Sequence, residues 1–176
     1  MIITISGLAG SGTTTLSKIL SKKLNYKHIS AGDIFRKMAE ERNMSLLEFS
    51  KFAEENEEID IKIDEKQAEL AKNSDNLIIE GRLSGHFVDA DLKVWLTAPF
   101  DVRAKRISKR ESKPLEVVKK EIKRREKSEA LRYKKIHGID INNLDIYDLI
   151  INSSTFSAEE IAEIIIKALE VIQWRQ

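Results

Sequence analysis

The chain has 176 residues, 30 Lys and Arg against 29 Asp and Glu, and no cysteine. That length suits one α/β domain burying roughly two-thirds of its unfolded surface, and the near-zero net charge advertises neither nucleic acid nor an anionic membrane as a partner. Without cysteine there are no disulfides, no Cys-ligated zinc, no iron–sulfur cluster and no thiol catalysis.

The N-terminus has no basic region followed by a long apolar stretch, and no apolar run approaches the roughly 20 residues that span a bilayer. A cytoplasmic protein without a membrane partner is expected. Charged residues make up 34% with two prolines and seven glycines, which fits a helix-rich and heat-adapted chain.

Ile2 to Ser6 is a short β-branched run without polar alternation, as in a strand buried on both faces of a parallel sheet. Gly7-Leu8-Ala9-Gly10-Ser11-Gly12-Thr13-Thr14-Thr15 follows, and Leu16, Ile19, Leu20 and Leu24 then recur at helical spacing. Gly7, Gly12 and Thr14 fit the phosphate-loop pattern of Gly, four residues, Gly, Lys, then Ser or Thr, but Thr13 stands where the lysine belongs. Backbone N–H groups of such a loop converge on a phosphate at the positive end of the helix dipole, with or without that lysine. The alternative is a glycine turn used only to pack strand closely on helix.

Lys27 to Ile29 is a weak strand, and Ser30 to Asp33 supplies turn and capping residues before Ile34 to Met38. From Met38 to Asn73 only helical patterns occur: Leu46, Leu47 and Phe49 after Ser45, then Ile59, Ile63, Ala68 and Leu70. These predict a small helical insertion. Leu77 to Gly81 is a buried strand ending in an acid and a glycine, and Leu92 to Leu96 is a fourth. Phe100 to Arg110 reads as a helix, and Pro114 opens a polar helical stretch to about Lys135. Tyr147 to Ile151 is the fifth strand, and Ser157 with Glu160 forms a capping box for a last helix ending near Trp174. Strands alternating with helices predict a wound α/β sheet.

Thr14 can place its hydroxyl on a magnesium ion, and Glu80, at the end of an apolar strand, can hold that ion through water. Phosphoryl transfer spreads negative charge over several oxygens and needs fixed cations around them, a task that suits arginine. Arg36, Arg82, Arg106, Arg110, Arg125 and Arg132 each follow a strand or turn or lie on the polar helices. His28, His86 and His137 are too scattered for a metal site and read as surface or partly buried side chains. Lys119 to Lys127 mixes signs, which favours a solvated helix face over a nucleic-acid patch. Asp60 and Asp64, one turn apart, could reach a pyrimidine amino group, although they read as exposed helix acids.

Five arginine-bearing motifs in order after a phosphate loop resemble the nucleoside monophosphate kinases, and among them the cytidylate kinases of the archaeal type. Ser30-Ala31-Gly32-Asp33-Ile34-Phe35-Arg36 is similar to the segment that holds the acceptor phosphate, implying Ser30, Asp33 and Arg36 as acceptor ligands. Ile79-Glu80-Gly81-Arg82, followed by Val88 to Ala98, is similar to the segment whose arginine also contacts the acceptor, implying Gly81 and Arg82. Arg106 and Arg110 match positions that face the base and phosphates of ATP. Arg125, Glu129 and Arg132 resemble the lid pattern in which two arginines close over both nucleotides, with Glu129 on the acceptor side. Tyr133 to Asp140 and Tyr147 to Asn152 are similar in order and spacing to the archaeal form, so the resemblance covers nearly the whole chain.

The resemblance implies a three-layer P-loop kinase fold with a parallel five-stranded sheet of order 2-3-1-4-5. Its core is expected at 1–36, 75–110 and 141–176, an acceptor-binding insertion at about 37–74 and a helical lid at about 111–140. The implied reaction moves the γ-phosphoryl group of ATP to CMP, and to dCMP, with magnesium, in a monomer that binds no nucleic acid. Gly7, Leu8, Ala9, Gly10, Ser11, Gly12, Thr13, Thr14, Thr15 and Arg106 are then expected on ATP, and Arg110, Arg125 and Arg132 on the transferring phosphate. Two positions depart from the pattern: Thr13, and Leu83 where bacterial cytidylate kinases have an aspartate. Arg110, Arg125 and Arg132 are expected to supply the cation that Thr13 does not. The alternatives are an adenylate or uridylate kinase, a non-catalytic nucleotide-binding protein, and an RNA-associated factor using the basic lid helix.

Overall fold

The computed structural model describes residues 1–174, so the last two positions of the expected core segment lie outside it, as do the side chains of Leu46 and Leu47. Five strands, β1 (Ile2–Gly7), β2 (Lys27–Ser30), β3 (Leu77–Glu80), β4 (Leu92–Thr97) and β5 (Leu149–Asn152), form one sheet in the order β2-β3-β1-β4-β5. All four pairings are parallel, with Ile5 beside Glu80 and Ser30 beside Glu80 in register. The carboxyl ends of β1, β2 and β3 therefore meet at one edge. β1 lies between strands reached by opposite chain directions, the position where open α/β sheets form a ligand crevice.

β1 is buried at all six positions, as its unbroken apolar run predicts. One sheet face carries α1 (Thr13–Leu24) and α8 (Ala158–Gln173) over a core of Ile3, Ile5, Val94, Leu16, Leu20 and Ile161. On the other face Ile2, Leu77, Ile79 and Val88 pack against Ala71, near the end of α4 (Glu58–Lys72). There too Trp95, Leu83, Tyr147 and Ile141 meet Tyr133 of α7 (Leu115–His137). This gives the expected three layers. Leu83 is buried in that cluster, so an apolar side chain here anchors α7 to the sheet.

The short α2 (Ala31–Glu41) and α3 (Leu46–Glu55) join α4 around Phe49, Ala39, Ala53, Ile59 and Ile63, a satellite core separate from the sheet. Ser45 and Glu48 cap α3 reciprocally, as do Ser157 and Glu160 at α8. α6 (Phe100–Glu111) lies against α7 through Ala104, Ile107, Val118 and Ile122.

Three boundaries differ from the sequence expectation. α2 starts at Ala31 with no intervening turn, because Ser30 ends β2 and at the same time caps the helix through the N–H of Asp33. A one-turn helix, α5 (Ser84–Phe87), follows Arg82 in a stretch too short to show periodicity. β5 begins at Leu149, because the Tyr147 N–H bonds within a turn to Leu144 while its ring turns into the core. Among the described residues no helix is long and apolar enough to cross a membrane.

Candidate active site

The loop between β1 and α1 is shaped by glycines at left-handed φ, Gly10 at 81° and Gly12 at 99°. Leu8 and Ala9 pin it by packing into the clusters of α7 and of the α6–α7 contact. Gly12 precedes α1 without a capping side chain, so the first N–H groups of the helix face the loop unsatisfied by any cap. A cavity of about 390 Å³ opens there, bordered by Gly12, Thr13, Thr15, Arg106, Arg110 and Phe156.

Two arginines of α6 brace this loop from behind. Arg106 Nη1 donates to the Gly10 carbonyl at 3.2 Å and to Ser153 Oγ at 2.9 Å, while Ser153 Oγ donates to the Ser11 carbonyl at 2.6 Å. Arg103, 6% exposed, donates to the carbonyls of Ala9 and Ala98 and pairs with Glu126 of α7. Arg110 reaches the cavity with its guanidinium largely exposed, beside Glu111 at 3.0 Å.

Glu80 ends β3 directly beneath the loop and is 8% exposed. Its Oε1 accepts hydrogen bonds from Thr14 Oγ1 at 2.5 Å and Thr13 Oγ1 at 2.8 Å, and Oε2 lies 3.2 Å from His28 Nε2. Burial opposes a charge on this carboxyl, but the hydrogen bonds from His28, Thr14 and Thr13 outweigh it and hold Glu80 below its usual range. An ionised carboxylate can only accept, so His28 Nε2 carries the proton.

A second group of charges lies where α2, α4 and α7 converge. Arg36 is paired with Asp33, whose other oxygen accepts from Ser30 Oγ at 2.7 Å. Glu129 stands between Arg82 Nε at 2.7 Å and Arg125 Nε at 2.8 Å, and Arg82 Nη1 is buried without a hydrogen-bond partner. Arg132 Nε lies 3.5 Å from Asp60, and His137 Nε2 lies 3.1 Å from Asp64. Gln67 joins Asp64 to Ser84, which donates to its Oε1 at 2.6 Å next to Gly81. Burial pushes the Asp64 carboxyl up to about 7, with the neighbouring Asp60 adding to the shift. Burial also raises Asp60, against the pull of Arg132 and His137.

Residues 2–155 match the cytidylate kinase-like family. The chain belongs to that family. It is 64% identical over 172 residues to the cytidylate kinase of Methanobrevibacter smithii, covering 98% of this chain and all of that protein. It is 61% identical over 159 residues to the cytidylate kinase of Methanothermobacter thermautotrophicus, covering 90% of this chain and 99% of that one. Among solved structures it is similar to shikimate kinase from Bacteroides thetaiotaomicron, with a TM-score of 0.63 over 97% of this chain and 98% of that one. Their 19% identity makes this a likeness of fold alone.

In this member of the cytidylate kinase-like family the expected residues fall into groups. Gly7 to Thr15, Glu80, Arg106 and Arg110 meet at the loop. Ser30, Asp33 and Arg36 lie at the head of α2, and Gly81, Arg82, Arg125, Glu129 and Arg132 lie between β3 and α7. Arg125 and Arg132 are turned to carboxylates rather than to the loop. One expectation is corrected: Asp60 and Asp64 are not exposed helix acids but 17% and 13% exposed side chains facing α7. His28 is partly buried, as expected, and its ring is bonded to Glu80. Arg103 was absent from the expected set. Its signal was its place three residues before Arg106 on one face of α6, since such residues share a helix face.

Proposed function

We propose that the protein transfers the γ-phosphoryl group of ATP to CMP, and to dCMP, giving ADP and the nucleoside diphosphate. The observation that carries this reading is the convergence, at the carboxyl edge of one sheet, of a phosphate-shaped glycine loop, the acid Glu80 and a ring of arginines. Membership of the cytidylate kinase-like family supports the choice of acceptor.

ATP phosphates bind at the loop, where helix N–H groups and the Arg110 guanidinium face the cavity. Arg106 and Arg103 act from behind by keeping the loop carbonyls turned away from the phosphates. Arg36 and Arg82 take the acceptor phosphate. Arg82 Nη1 is already a buried donor without a partner, an arrangement that a ligand oxygen relieves. Asp60 and Asp64 offer acceptors to the exocyclic amine of cytosine. The Thr14 hydroxyl and the Glu80 carboxylate are hard oxygen donors 2.5 Å apart, which suits magnesium held by Thr14 directly and by Glu80 through water. When bound, that ion neutralises charge on the phosphate oxygens.

No covalent intermediate is required, because the acceptor phosphate is itself an anionic nucleophile. Catalysis is positioning plus charge stabilisation. The test is ADP release from ATP and magnesium against CMP, dCMP, UMP, AMP, GMP and shikimate. Turnover is expected only with an acceptor and magnesium, fastest with CMP or dCMP. Turnover with no acceptor preference for a nucleotide, or a preference for AMP, overturns the reading.

A further inference from the structure

The phosphate-loop pattern places a lysine at position 13, and this chain has a threonine there. Its hydroxyl does not point into the loop. Thr13 Oγ1 donates to Glu80 Oε1 at 2.8 Å, the same oxygen that accepts from Thr14. Glu80 is itself one methylene longer than the aspartate usual at such a site, and this extra length brings its carboxylate up to the first residue of α1. An aspartate at position 80 would withdraw the carboxylate from Thr13 by about 1.5 Å, one carbon–carbon bond. A lysine at position 13 would set an ammonium against a carboxylate that is 8% exposed, and in so dry a place the two would pair.

We infer that Thr13 and His28 are positioning residues that hold the Glu80 carboxylate at the head of α1, so that the short hydroxyl at 13 and the long acid at 80 form one matched pair. The inference rests on the reading of Glu80 as the acid of the metal–phosphate site. Of the three donors to Glu80, only the Thr14 hydroxyl has a second task, because the same oxygen is the direct ligand for magnesium. If that hydroxyl turns to the cation, Thr13 on Oε1 and His28 on Oε2 keep both carboxylate oxygens engaged. The carboxylate then stays aimed at the position from which it holds the water of the ion. The departure at position 13 is thus a change of partner for the acid, and the loop's missing charge is a separate matter for Arg110 and the α7 arginines.

Calorimetry with adenosine 5′-(β,γ-imido)triphosphate, with and without magnesium, tests this on the intact protein. The quantity read is the gain in affinity that magnesium brings. Thr13→Val, which keeps the shape and removes the hydroxyl, is expected to reduce that gain about tenfold, the size of one lost hydrogen bond to a charged group. Thr13→Ser should restore it. Thr13→Lys is expected to reduce it at least as much, and Glu80→Asp added to Thr13→Lys should recover part of the loss even though Glu80→Asp alone costs affinity. That sign reversal is a coupling two independent sites do not show. His28→Gln, which retains an N–H donor, should lose less than His28→Leu.

An unchanged magnesium gain in Thr13→Val, an equal loss in Thr13→Ser, or strictly additive effects of Thr13→Lys and Glu80→Asp each overturn the pairing. Glu80→Gln separates this from failure of the underlying reading. If that variant keeps the full magnesium gain, Glu80 is not the site's acid and both fall. If it loses the gain while the Thr13 variants do not, only the pairing falls. Far-ultraviolet circular dichroism melting of each variant confirms that the measured chain is folded.

Discussion

Gly10 and Gly12 both hold left-handed backbone, but a side chain would meet different surroundings at each. A Cβ on Gly10 would sit 2.6 Å from the carbonyl oxygen of Arg103, whereas one on Gly12 would meet nothing within 4 Å. The conformational strain is common to the two, on the order of 1–2 kcal/mol for an L-residue. Only Gly10 adds a backbone clash that no rotamer relieves. Gly10→Ala is therefore expected to lower the melting temperature by roughly 5 °C or more in a domain of this size, and Gly12→Ala by less. Thermal denaturation of both variants checks the order, and an equal or reversed effect would mean that Arg103 does not set the height of the loop.

Arg103 itself illustrates what a sequence withholds at this scale. The glycines, the threonines and Glu80 were legible because their spacing along one strand–loop–helix unit constrains where they go. The partner of each side chain was not. Nothing local to Thr13 says that its hydroxyl turns toward β3, since that depends on how far Glu80 reaches from a strand 67 residues away. The partner of His28 was hidden for the same reason: only the parallel pairing of β2 with β3 brings its ring to the acid.

Among the elements, the strands were the easier part. Unbroken apolar runs at Ile2 and Leu77 can be stable only when covered on both faces, and the wound order follows once helices separate them. The relation of α4 to α7 was hidden, because each helix alone presents a polar, mixed-charge surface that reads as solvated. Together they cover two facing pairs, Asp60 with Arg132 and Asp64 with His137, beside an exposed third, Glu57 at the cap of α4 with Lys135. Asp64 gives this contact a pH dependence whose sign can be worked out. Its carboxyl titrates at about 7 in the folded protein and near 3.9 when unfolded. Between those values the folded chain binds the extra proton, so this group's contribution to stability declines as pH rises from about 4 to about 7 and is constant above. Asp64→Asn removes the titration. The variant should gain on the parent by an amount that grows over that interval, reaching the order of a few kcal/mol at pH 8. His137, which burial shifts downward against the pull of Asp60, lies 3.1 Å from Asp64 and loses that partner in the variant, so the comparison is repeated in a His137→Gln background that keeps its titration out of the difference. Melting curves from pH 4 to pH 9 supply the test, and a stability difference that stays flat or shrinks with rising pH would show that Asp64 is ionised in the fold.

At the scale of the whole molecule, α7 runs from the brace of the phosphate loop to the helical insertion. Its first half packs on α6 behind the phosphate loop, its middle carries the Glu129 ion pairs to Arg82 and Arg125, and its last turns face α4. A 23-residue helix so placed links the loop brace, Arg82 and the insertion. Arg132 lies in those last turns, and its present partner is poor: Nε lies 3.5 Å from Asp60 and makes no hydrogen bond. A guanidinium held that loosely loses little by turning to phosphate oxygens when both nucleotides are bound, and it gains most when their charge is greatest. An interaction of that kind is made in the transition state more than in the ground state, so removing it lowers kcat and kcat/KM together. Arg132→Ala is accordingly expected to reduce kcat by on the order of a hundredfold or more, with the KM values for ATP and CMP changing far less. Arg132→Lys should fall in between, because it keeps the charge and loses the planar fork. Steady-state kinetics on the two variants decide the matter. A large rise in KM at unchanged kcat would assign Arg132 to ground-state binding alone, and full turnover in the alanine variant would leave α7 as a structural clasp between loop and insertion.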